Sequence, residues 1–151
     1  MAYLLDANVF IQAKNLQYGL DFCPAFWNWL VQENSSANVF SIENVGDELA
    51  AGDDELSVWA VERGSRFFLS PDSKMLPSLP IVSDWVTDQG YESAAINTFL
   101  QVADYYLVAY AHAHGLTVVT HEIASESVCC LSVCFTFHRH FYSSVYHCEA
   151  G

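Results

Sequence analysis

The stretch Tyr3-Leu4-Leu5-Asp6-Ala7-Asn8-Val9-Phe10 decides the fold. Three apolar residues run into an acid, which reads as a short buried strand that ends at Asp6. Asp6 and Asn8 both carry side chains able to cap a helix starting near Val9. A strand that gives way to a helix so quickly is the opening of a βα unit, and the rest of the chain repeats the pattern. Val39-Phe40 is a second short strand ending at Ser41, with a helix from about 42 to 51 that Gly52 stops. Phe67-Phe68-Leu69 is a third. Thr117-Val118-Val119-Thr120 is the clearest, a β-branched run after Gly115.

Between these strands the sequence predicts helices over about 24–33, capped by Asp21, over 55–63, capped by Asp53 or Asp54, and over 79–89. One long helix is predicted over about 92–114. Strands alternating with helices imply an α/β fold with a mainly parallel central sheet flanked by helices on both faces.

The totals agree with one domain. The chain has 151 residues, 18 acids against 5 bases, and a formal net charge of -13. That balance disfavours a passive nucleic-acid-binding module, which needs a basic patch. It suits a cation-binding enzyme or a basic partner. No apolar run is long enough for a membrane span, and Asp6 interrupts the only candidate leader, so the expected address is the cytoplasm, with reduced cysteines.

Four acids stand in unusual places. Asp6 lies at the carboxyl end of the first strand, and Glu122 just past that of the Thr117–Thr120 strand, where open parallel sheets gather their ligands. Asp104 shares a helical face with Leu100, Leu107, Val108 and Ala111, a costly position for an unpaired carboxylate. Glu48 faces partly inward beside Val45 and Leu49, whereas Asp47 points elsewhere. Taken singly, Asp6 is a helix cap, Glu48 a surface residue, Asp104 a hydrogen-bonded core acid and Glu122 a loop residue. Taken together, they form a cluster that either binds protons or holds a hard cation, Mg²⁺ or Mn²⁺ by its oxygen donors. Such an ion can activate water beside a phosphodiester.

The opening octapeptide resembles the start of a PIN domain. With Gly52-Asp53-Asp54-Glu55-Leu56, Ala103-Asp104 and Val118-Val119-Thr120-His121-Glu122, the chain is similar to the DUF4411 family of PIN-like proteins, related to VapC-type toxins, over roughly residues 2–123. The resemblance implies a three-layer PIN-like fold and a metal-dependent endoribonuclease, often paired with an antitoxin and commonly dimeric. Asp6, Glu48 and Asp104 match its acids and imply the Mg²⁺ or Mn²⁺ ligands. Asn8 and Thr120 match its supporting polar positions. Glu122 stands where many PIN domains carry an Asp, a departure that lengthens the side chain.

Residues 1–123 are thus the expected domain core, and 124–151 a divergent tail that holds the last strand, for which 133–137 is one reading. Its uncharged stretch 127–138 leaves two explanations open, divergence or a shifted reading frame. Cys130, Cys134, His138 and His140 lack the paired spacing of a zinc site, so buried thiols are the plainer reading. His112 and His114 suit the negative end of a helix. The alternative function is a catalytically weak or inactive PIN-like module that binds a basic protein partner. A phosphatase that uses a first-strand Asp needs a second Asp where this chain has Asn8.

Overall fold

A computed structural model describes residues 1–121 and the strand Val145–His147. The expected β1 is Tyr3–Leu5, followed at once by α1, Ala7–Gln12, which continues into a π-helical turn, Ala13–Gln17. Next come α2 (Pro24–Ser35), β2 (Val39–Ile42), α3 (Glu43–Ala50), α4 (Glu55–Arg63), a 3-10 turn and β3 (Phe68–Leu69). After them follow α5 (Ser78–Asp88), α6 (Ser93–Phe99), α7 (Ala103–His114), β4 (Thr117–Thr120) and β5 (Val145–His147).

The strands form one parallel sheet in the order β3-β2-β1-β4-β5. Helices cover it on both faces in three layers, as the alternation of elements requires. β1 is central: Tyr3 pairs with Val39 on one side and with Thr117 on the other. The chain builds outward from β1 through β2 to β3, then returns to place β4 and β5 on the opposite side. The strand order therefore reverses between β1 and β4, which is a topological switch point.

The core explains why these residues form these elements. Leu4, Phe10, Val45, Val82, Leu107 and Ala109 are fully buried. Phe10 meets Trp59 and Phe68 at ring distances of 5.8 and 6.1 Å, and Trp27 meets Trp59 edge-on at 5.0 Å, so α1, α2, α4 and β3 share one aromatic cluster. Asp54 caps α4 by accepting from the Ser57 amide at 3.0 Å, and it also pairs with Lys14 of the π turn. Asp53 is not the cap, and the residue at the cap position of α2 is Cys23 rather than Asp21.

The largest departure from expectation is the long helix. It is two helices, α6 and α7, broken at Leu100–Val102. Leu100 is therefore not on the helical face of Asp104; Leu107, Val108 and Ala111 are, and all three are buried. Gly115 ends α7 in the left-handed conformation (φ 64°), as its position predicts. β5 comes from the tail, at 145–147, and the expected strand at 133–137 lies outside the described residues. No helix of the described residues is long and apolar enough to cross a membrane.

Candidate functional site

Asp6 is 1% exposed, and its position follows from how β1 ends. Its amide donates to the Val119 carbonyl at 3.0 Å, which keeps the main chain in register with β4 one residue past the strand. Its backbone is extended (φ -75°, ψ 157°), and its carbonyl accepts from the Val9 amide at 3.1 Å to start α1. Asp6 thus occupies the cap position, yet its side chain makes no capping hydrogen bond. Instead Oδ2 accepts from Thr120 Oγ1 at 2.8 Å and from Asn8 Nδ2 at 3.3 Å. Asp6 therefore does more than cap α1: its carboxylate also reaches across to a side chain of β4.

Asp6 and Thr120 lie at the ends of the two strands that flank the switch point. Burial pushes the Asp6 pKa above the usual carboxylate range, although Thr120, Asn8 and the first amides of α1 pull it down. Glu48, on α3, is exposed at the rim. Partial burial of its carboxyl, and secondly the charge of Asp6, raise its pKa. The charge of Asp6 thus reaches Glu48, and no basic side chain is among the groups that perturb either. Two such oxygen donors without a neutralising cation are what a hard divalent ion binds.

Asp104 is half-buried in the first turn of α7, a position that the helix dipole also favours for an acid. α7 runs back along the sheet and joins β4 through Gly115-Leu116. Its start therefore lies toward the edge where β4 ends, since a helix of this length spans roughly 18 Å. Among the described residues, no group of three or more His, Cys, Asp or Glu side chains is arranged to hold a metal ion. The structure brings together Asp6, Asn8, Thr120 and, through charge, Glu48; it does not draw Asp104 into a three-acid group with them. Glu122 and the Cys130, Cys134, His138 and His140 group lie outside the described residues.

His112 and His114 fall in the last turn of α7, and their side chains hold the β3–α5 loop. His112 Nδ1 is 2.9 Å from Ser78 Oγ, and His114 Nε2 is 3.0 Å from Asp72 Oδ2. Sequence reasoning missed one residue of the site. Ser41, fully buried at the end of β2, donates its hydroxyl to the Leu5 carbonyl at 2.6 Å. A lone serine at a strand end gives no signal that it touches the peptide before the first acid.

A parallel sheet in this strand order, covered by helices on both faces, defines a three-layer, PIN-like α/β fold. The chain belongs to the DUF4411 family, described as a domain of unknown function, whose model matches residues 3–139. Its fold is similar to that of a chain in the crystal structure of VapBC2 from Rickettsia felis bound to a DNA fragment from their promoter. The TM-score is 0.59 at 14% identity, over 99% of this chain and 100% of that one. No curated protein matches the sequence.

Proposed function

We propose that the protein is a metal-dependent endoribonuclease of PIN type, acting as the toxin of a toxin–antitoxin pair. The observation that carries this reading is the Asp6–Glu48 pair at the switch point, with Thr120 and Asn8 bonded to Asp6. The fold shared with the VapBC2 chain supports it. Mg²⁺ or Mn²⁺, when bound, supplies the positive charge that activates water and offsets the phosphodiester. Asp6 and Glu48 would hold it, with Asp104 and Glu122 completing the set. Uncompensated carboxylates repel, and a cation that removes the repulsion would draw them closer. Thr120 and Asn8 both bond Oδ2 of Asp6 and so orient its carboxylate at the sheet edge.

The test is RNA cleavage with Mn²⁺ or Mg²⁺ by the parent and by Asp6→Asn, Glu48→Gln and Asp104→Asn. The parent should cut and Asp6→Asn should be inactive. If Asp6→Asn and Asp104→Asn both cut as well as the parent, the reading fails.

The second reading is a PIN-like module of weak or no catalytic power that binds a basic protein partner. Its support is an exposed apolar surface around α2, with Phe22 85%, Leu16 69% and Trp29 48% exposed, on a chain of charge -13. An antitoxin would occupy this surface in either reading, and a second copy of the chain is the competing occupant. Co-purification with a basic partner, together with no Mn²⁺ affinity, would favour the second reading over the first.

A further inference from the structure

The Leu5–Asp6 peptide is held from both sides of β1. Its carbonyl oxygen accepts from Ser41 Oγ of β2 at 2.6 Å, and its amide donates to Val119 of β4 at 3.0 Å. The pairing of β1 with β2 stops one residue earlier, at Leu4–Phe40. The Ser41 amide is directed the other way, to Phe67 at 2.9 Å. A side-chain hydroxyl thus does at Leu5 what a strand ladder would otherwise do. Leu5 and Ser41 are both buried, at 6% and 0% exposure, so water is a poor substitute for that donor.

We propose that Ser41 is a positioning residue for Asp6: by holding the Leu5 carbonyl, its hydroxyl fixes the peptide plane from which the Asp6 carboxylate leaves the sheet edge. The peptide plane has one soft rotation on either side, and Asp6 sits on one of them. With the carbonyl released, the plane tilts and the amide loses its aim at Val119. The carboxylate then moves off Thr120 and away from Glu48. Ser41 touches no substrate and acts only through Asp6. Its importance for catalysis rests on the nuclease reading; the positioning itself does not.

The experiment follows amide hydrogen exchange and Mn²⁺ binding in the full chain. In Ser41→Ala, exchange at the Asp6 amide should quicken relative to that at Leu4 by about tenfold, the weight of one net hydrogen bond. Ser41→Cys, with a weak donor of similar size, should fall between, and Ser41→Thr, which keeps the hydroxyl, should restore protection. Val82→Ala, a cavity in α5, should lower Tm without changing the Asp6-to-Leu4 ratio. A ratio unchanged in Ser41→Ala and Ser41→Cys overturns the assignment, as does an equal change in Val82→Ala. Mn²⁺ affinity should fall in parallel with the ratio. A parent that binds no Mn²⁺, while Ser41→Ala still loses protection at Asp6, sinks the nuclease reading and upholds the positioning role.

Discussion

Asp6 is a carboxylate in a place that favours its protonated form. Burial raises its folded-state pKa, and the stability so gained is present below the ordinary carboxylate range. It is lost as pH rises through the raised value, so the ionised group weighs against the fold at neutral pH. Asp6→Asn should therefore raise the stability at pH 7 by about 0.5–2 kcal/mol and, on the nuclease reading, abolish cleavage. Thermal melts of both chains at neutral and acidic pH check this, and the gain should shrink at the acidic end. Thr120→Val removes a donor that opposes the rise; Mn²⁺ affinity or activity should drop about 10–100-fold, measured by calorimetry or turnover. At this scale the sequence was informative where chemistry was out of place. An apolar run ending at an acid marked Asp6; the β-branched run marked the strand, and only the family resemblance marked Thr120 at its end. Ser41 was invisible, because serine at a strand end is common and only the fold brings it to Leu5.

Among the elements, α3 carries Glu48 and is held close to β3 by a missing side chain. A Cβ at Gly46 would lie 2.8 Å from Phe68 Cγ, and Phe68 is 5% exposed and packed against Phe67 and Trp59. Gly46→Ala should cost about 1–3 kcal/mol by overpacking, seen as a lower denaturant midpoint. It should also weaken Mn²⁺ binding, because Glu48 is two residues along the same helix. The short strands were legible because each apolar run is cut by a polar or small residue. The break at Leu100–Val102 was not, since Leu100-Gln101-Val102 contains neither Gly nor Pro and its residue types suit a helix. β5 was missed because Val145-Tyr146-His147 has no hydrophobic period to distinguish it from its surroundings.

For the whole molecule, the parallel sheet and the charge of -13 act together. A divalent ion that binds only the folded chain should raise its Tm, by an amount equivalent to about 2.7 kcal/mol at a hundred times its Kd. Asp6→Asn should remove most of that response, which a thermal melt with and without Mn²⁺ reads directly. β5 pairs with β4 through Val118–Val145 and Thr120–His147. A chain cut after residue 123 would leave β4 as a free edge and should associate more readily in light scattering. The sheet class was readable from the alternation of elements; the strand order was not, because it depends on contacts between distant segments.

That order has a consequence for the life of the chain. The central strand, β1, is made before its neighbours β2 and β4, and its acid bonds a threonine 114 positions later. A nascent chain therefore lacks the completed edge until β4 has left the ribosome. Fragments released before β4 carry Asp6 without Thr120, so the hydroxyl that orients this carboxylate arrives only once β4 has been made.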